Sequence, residues 1–302
     1  MSILLDKNTR VLVQGATGGE ARRLIPTMVD YGTKVVAGVS LGHGGEEIFG
    51  IPVYGSVADS LRNHEIDLSV LFVPARFSRD AALEAIDGGI PVINVVAEGV
   101  PHHDACEIIA RANKADVMIV GPNSQGMLSP GQAKVGGTGG EVPDLMFQPG
   151  PVGIVSRSGG MGAEISLALT RAGIGQSTYI AIGGDLIIGA TFVEILALFE
   201  ADGETKCAVM FGEPGTAREE QAAEFIASGG FSKPVVAMIP GEFLENRDAP
   251  APTSHTGALI ERGIGAPSEK KRLLRAAGAL IAEKFSDIVP LVREALENSA
   301  SD

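Results

Sequence analysis

Short apolar runs recur along the chain at 11–13, 34–39, 68–73, 91–96 and 117–120, separated by stretches with helical spacing such as 78–85 and 104–112. Runs that are apolar throughout belong to strands covered on both faces, so the alternation predicts a parallel sheet with helices on either side. Ser78 reads as an N-cap. Pro26 interrupts the first helical pattern and predicts a helix that is kinked or starts late. Between 124 and 151 the periodicity disappears. The run Gly136-Gly137-Thr138-Gly139-Gly140, with Pro130, Pro143, Pro149 and Pro151, reads there as a connector or loose hairpin. A second alternation follows, with strands at 152–155, 178–182, 207–211 and 234–239 and helices at 163–171, 192–200, 217–227 and 270–284. The pattern predicts two α/β domains, 1–145 and 146–302.

Composition narrows the partners. The 302 residues exceed a usual single core and support two domains of about 150 residues each. Forty glycines imply many tight strand-to-helix turns or close backbone approaches to a ligand. A net charge of −13 argues against nucleic acid or an anionic membrane as the main partner. Cys106 and Cys207 fall in regular elements without framework spacing, as expected in a reducing compartment. Charge arrives early, in Asp6-Lys7, and no apolar run approaches about 18 residues, so a cytoplasmic protein is expected.

The strand ends carry the candidate chemistry. The first strand runs into Gln14-Gly15-Ala16-Thr17-Gly18-Gly19, a turn whose backbone amides and following helix could meet a phosphate. It lacks the G-x-G-x-x-G spacing, and 35–40 holds no acid for an adenosine ribose, which disfavours NAD. Further glycine- and proline-rich loops stand at His43, at Ala97-Glu98-Gly99 and at Gly121-Pro122-Asn123-Ser124, on the edge where open parallel sheets bind ligands. In the second domain the hydroxyls of Ser156 and Ser158 with the amides of Gly159 and Gly160 could form an anion cradle; a well-capped helix is the plainer alternative. Glu213 ends a strand, where a carboxylate could accept a hydrogen bond from an imidazole and fix its tautomer, or could be an ordinary acid at a helix start. His255, in Ser254-His255-Thr256-Gly257-Ala258, lies in a run of small residues with no periodicity. Such an imidazole can serve as base, metal ligand or phosphoryl-accepting nucleophile, and no second ligand at suitable spacing favours a metal.

In sequence order, Asp6-Lys7-Asn8-Thr9, Tyr31-Gly32-Thr33-Lys34, Gly121-Pro122-Asn123, Gly153 to Gly159, Gly175-Gln176-Ser177-Thr178, Ile182-Gly183-Gly184-Asp185 and Ser254 to Ala258 resemble the α subunit of succinyl-CoA synthetase and related nucleoside-diphosphate-forming acid–CoA ligases. The resemblance covers almost the whole chain. It implies a Rossmann-like CoA-binding domain followed by a flavodoxin-like ligase domain, with CoA contacts at Thr17, Gly18, Gly19, Glu20, His43, Val96, Ala97 and Glu98. It also implies a phosphorylated His255 partnered by Glu213, and a separate ATP-grasp β subunit that holds ATP or GTP with Mg²⁺, in an αβ or α2β2 heteromer.

Several positions depart from that pattern. His43 stands where the family has a lysine, and Glu20 where it has a glutamine, so a carboxylate faces the expected phosphates unless it turns elsewhere. Around the acid site, formed by Asn123, Ser124, Gln125, Gly126 and Ala163, an amide replaces the family's proline at 125 and alanine replaces its tyrosine at 163. A buried amide there would favour an acid with a further polar group, such as malate, citrate or sulfoacetate, over succinate. A CoA-binding regulatory protein without ligase activity is an alternative, which failure of a β partner to restore turnover would favour. An NAD-linked oxidoreductase is another, which a nicotinamide absorbance change would reveal.

Overall fold

A computed structural model describes residues 3–245, 257, 260 and 265–299; His255 lies outside them. The first sheet contains β1 (Arg10–Gln14), β2 (Lys34–Val39), β3 (Glu47–Ile48), β4 (Ile51–Tyr54), β5 (Leu68–Leu71), β6 (Val92–Val95) and β7 (Met118–Val120) in the order β3-β4-β2-β1-β5-β6-β7. Every pairing is parallel except the β3–β4 hairpin. The chain leaves β1 toward β2 on one side and returns with β5 on the other, so the strand order reverses beside β1, where open α/β sheets form their ligand crevice.

Helices α1 (Gly19–Asp30), α2 (Val57–Leu61), α3 (Ala75–Asp87) and α4 (His102–Ala115) connect these strands. α1 starts at Gly19 and continues past Pro26, so the expected late start does not occur. Its Ala21, Leu24, Ile25 and Met28 are buried, and burial of that stripe offsets the one backbone donor that proline removes. α3 begins at Ala75 with Pro74 as its N-cap, rather than at the expected cap Ser78, which lies buried inside the helix. Proline fits that position because a first-turn amide has no helical acceptor.

Of the two readings of 124–151, connector or loose hairpin, the structure shows the hairpin, and it is ordered. β8 (Gly126–Ser129) and β9 (Ala133–Gly136) form an antiparallel hairpin that pairs with β11 (Gln176–Ala181). With β10 (Pro149–Ser156), β12 (Cys207–Phe211), β13 (Val235–Met238) and β14 (Leu280–Ile281) they make a second sheet, in the order β14-β13-β12-β10-β11-β8-β9. Its five parallel strands follow the doubly wound flavodoxin-like order, with the hairpin added at one edge. Helices α5 (Gly159–Arg171), α6 (Phe192–Ala201), α7 (Arg218–Ala227), α8 (Pro267–Ala276) and α9 (Ile288–Ser299) pack around it. The helix expected over 270–284 stops at Ala276 because Gly278, at φ +94°, turns the chain into β14.

The two sheets share a core. Val11, Val13 and Leu24 of the first half belong to the same buried cluster as Val155, Ile180 and Ile188 of the second. Backbone bonds from Gly189 to Gly121 and from Ala190 to Ile119 tie the loop after β11 to the end of β7. The carboxyl ends of β7 and β11 therefore meet.

Candidate functional site

At the end of β1, Gly15 adopts φ +75°, and a β-carbon there would come within 2.7 Å of the Phe72 carbonyl oxygen, so the turn packs directly on the neighbouring strand. The Thr17 amide and hydroxyl both donate to Ser40 Oγ, at 3.1 and 3.0 Å. Ser40 follows β2, where a ribose-binding acid would stand, and its hydroxyl instead fixes the first loop. Thr17, Ser40 and His43 line a cleft of about 440 Å³ together with the apolar Val39, Leu41, Val73 and Phe77. Gly18 caps α1 without a side-chain bond, leaving the first-turn amides of the helix without a capping side chain. Glu20 is exposed and bound to Arg23 at 2.7 Å, so its charge is locally compensated. His43 Nδ1 lies 2.8 Å from Glu46 Oε1. Val96, Ala97 and Glu98 stand at the end of β6, outside the residues lining that cleft.

In the second half, Ser158 caps α5 by accepting from the Met161 amide at 3.3 Å, while the Gly162 amide bonds the Ser158 carbonyl at 3.0 Å. The amides of Gly159 and Gly160 remain as the anion donors of that terminus. Ser156 does not contribute as expected. Its hydroxyl is buried, donates to the Ser158 carbonyl at 2.6 Å and accepts from the Ser158 amide at 3.2 Å, so it shapes the turn from beneath.

The acid-site residues separate similarly. Ser124 is buried with its hydroxyl spent on Ala181, Asn94 and Gly126, which makes it a fastener between the sheets. Gln125 is exposed rather than buried, so water can satisfy its amide and the expected discrimination by an unpaired buried group does not hold. Its side chain nevertheless borders the α5 terminus: a β-carbon at Gly159 would lie 2.4 Å from Gln125 Oε1. Gly126 begins β8 at φ +117°, and Ala163 packs against the core of the second sheet.

Glu213 is buried at the end of β12, and beside it is the residue that sequence reasoning passed over. Arg157, between the two serines, has a side chain with no exposed surface. It donates to Thr216 Oγ1 at 3.1 Å and to the Asp185 carbonyl at 3.0 Å, and its Nε lies 3.8 Å from Glu213 Oε2. Asn123 donates to Asp185 Oδ1 at 3.0 Å and its amide to the Ala97 carbonyl at 2.9 Å. A line of polar contacts thus runs Ala97, Asn123, Asp185, Arg157, Glu213. Gly257, two positions after His255 in the sequence, bonds the Gly184 carbonyl at 3.3 Å, and a β-carbon on it would lie 2.5 Å from Arg157 Nη2. A larger residue at 257 would displace the buried guanidinium. The signal for Arg157 was its place between cradle serines; an arginine is exposed by default, which hid it.

Residues 6–99 match a CoA binding domain model, and residues 149–294 match a succinyl-CoA ligase like flavodoxin domain model. The succinate–CoA ligase [ADP-forming] subunit alpha 1 of Archaeoglobus fulgidus is 46% identical over 98% of this chain and 99% of its own length. The chain belongs to the succinyl-CoA ligase α-subunit family. Within the family it is also similar to an ADP-forming sulfoacetate–CoA ligase subunit of an Acholeplasma species, 40% identical over 97% of this chain and 98% of that one. Among solved structures, ATP citrate lyase from Methanothrix soehngenii, in complex with citrate and coenzyme A, superposes with a TM-score of 0.92 at 26% identity. That match covers 99% of this chain and 51% of the lyase chain, so the ligase-family chain spans about half of the larger enzyme. No helix among the described residues is long and apolar enough to cross a membrane, and none of their His, Cys, Asp and Glu side chains group to hold a metal ion.

Proposed function

We propose that the chain is the α subunit of a cytoplasmic acid–CoA ligase that forms an acyl-CoA thioester from CoA, ATP or GTP and the carboxylate of a small acid, either a carboxylic acid or one that also carries a sulfonate. One observation carries the reading: the polar line from Ala97 to Glu213 joins the ligand edge of the first sheet to the buried carboxylate of the second. The cleft at Thr17 and His43 suits CoA in kind, with apolar walls for a base and the first-turn helix amides of Gly19 and Glu20 for phosphates, the Gly18 amide being spent on the Gly15 carbonyl at 2.9 Å. Val96, Ala97 and Glu98 extend that edge toward Asn123, along the direction a thiol arm must take.

At the other end, Glu213 accepts one N–H of the His255 imidazole and so fixes which nitrogen keeps its lone pair. That nitrogen takes the terminal phosphoryl group of the nucleotide, releasing the diphosphate. The phosphoryl group then passes to an oxygen of the acid, giving an acyl phosphate. The CoA thiol, having lost its proton, attacks the acyl carbon and expels inorganic phosphate. The Gly159 and Gly160 amides, with Ser158 shaping their turn, stabilise the phosphoryl charge during these transfers. Asn123, Gln125 and Gly126 border the acid, Ser124 holds their loop in place, and Ala163 leaves room that a larger side chain would fill. The nucleotide and Mg²⁺ come with an ATP-grasp β subunit, as αβ or α2β2.

The test is thioester formation by the chain assembled with an ATP-grasp β partner, screened with succinate, malate, citrate and sulfoacetate. One acid should support turnover that requires CoA and Mg-nucleotide together. Absence of thioester with every acid, alongside NADH binding and no heat from CoA in calorimetry, would overturn the reading.

A further inference from the structure

We propose that the buried Lys270–Glu219 ion pair is a positioning device for Glu213, acting through the turn at 212–216; the inference rests on the ligase reading for its kinetic consequence only. Glu219 lies in α7 and Lys270 in α8, and neither side chain has exposed surface. Glu219 Oε1 accepts the backbone amide of Glu213 at 3.0 Å, and its other oxygen is bound by Lys270 Nζ. The same ammonium donates to the Thr216 carbonyl at 3.1 Å and to Glu220 at 2.9 Å. A single ion pair therefore grips both ends of the turn that presents Glu213.

The turn is built to be gripped. A β-carbon at Gly212 would lie 2.7 Å from both Cγ and Oε1 of Glu219, so the glycine is what lets the carboxylate reach the Glu213 amide. Thr216 adopts φ +51°, a conformation that is costly for a β-branched residue and persists only where its surroundings over-determine it. Here the hydroxyl of Thr216 is held by buried Arg157 and its carbonyl by buried Lys270. Stability alone does not account for such a pair, because two buried opposite charges often contribute no more than apolar residues of similar volume. What an apolar pair cannot supply is the two directed bonds into the turn.

Those considerations select the double variant Glu219→Leu/Lys270→Met, which removes both charges together, and Glu219→Gln, which keeps an acceptor for the Glu213 amide. In the assembled heteromer, single-turnover phosphoryl transfer from Mg-nucleotide, the nucleotide KM, the thermal midpoint and hydrogen exchange over 212–216 are measured. The double variant should keep its KM, exchange faster in the turn, and transfer about 10- to 100-fold more slowly, a loss larger than its fall in midpoint accounts for. Glu219→Gln should recover most of that rate. Wild-type transfer and exchange in the double variant, or a rate that falls only in step with the midpoint, would overturn the inference. If the wild-type protein itself transfers no phosphoryl group, the ligase reading fails, and exchange over 212–216 alone decides whether the pair positions the turn.

Discussion

Arg157→Met removes a guanidinium with no exposed surface from the centre of the site. At 3.8 Å and an effective dielectric constant of about 20, its attraction to Glu213 is about 4 kcal/mol. Its bonds to Thr216 and to the Asp185 carbonyl, each from a charged donor, contribute about 1.5–3 kcal/mol apiece before desolvation is counted. Removing the guanidinium also relieves its own desolvation, so the net loss should be about 3–5 kcal/mol, the usual cost of breaking one side of a buried pair. Because the attraction is shared by the two charges, Arg157→Met/Glu213→Gln should lose less stability than the sum of the two single losses. Urea unfolding of the purified wild type and the Arg157→Met, Glu213→Gln and double variants closes the cycle. A single Arg157→Met variant within about 1 kcal/mol of wild type, or a double variant showing the full sum of both losses, would refute the coupling.

Two further outcomes follow from particular contacts. Burial, with the nearby Arg23 charge adding to it, lowers the Lys134 ammonium from its ordinary 10.5 to about 8. The unfolded chain then binds the extra proton between those values, so this lysine makes stability rise from about pH 8 to about pH 10.5. Lys134→Met should flatten that rise and stabilise the fold near neutrality, and an unchanged slope in urea unfolding across that range would contradict it. Gly162→Ala would place a β-carbon 2.4 Å from the Tyr179 ring and should cost about 1–3 kcal/mol, whereas Gly160→Ala meets nothing within 4 Å and should not destabilise; equal thermal midpoints for the two would count against the packing described.

Much of the fold was legible because both sheets are built from strands buried on both faces, whose apolar runs need no partner to be recognised. Val11 to Val13 and Cys207 to Phe211 are such runs, and the structure places strands there. The stretch holding β8 and β9 was legible only as a connector or loose hairpin, because glycine and proline at 130–140 mark turns, while the strands between them are short and owe their order to pairing with β11. The same limit concealed β3 and β4, and α9, which lies beyond the Gly278 break that ended α8 early. In the site, residue type revealed donors and acceptors but not how they are spent. Ser124 and Ser156 read as ligand hydroxyls, yet long-range bonds to Ala181 and Asn94 for the first, and a local bond to Ser158 for the second, consume them. Arg157, Glu219 and Lys270 carry no sequence signal of burial, and only their three-dimensional neighbours reveal a buried network around Glu213.

The most direct test of the phosphoryl-transfer chemistry is intact mass of the chain after incubation with an ATP-grasp β partner and Mg-nucleotide. An acid-labile phosphoryl adduct should form on the wild type, be absent from His255→Asn, and disappear when CoA and the cognate acid are added. An adduct that persists in His255→Asn, or an active His255→Asn enzyme, would contradict phosphoryl transfer through this histidine.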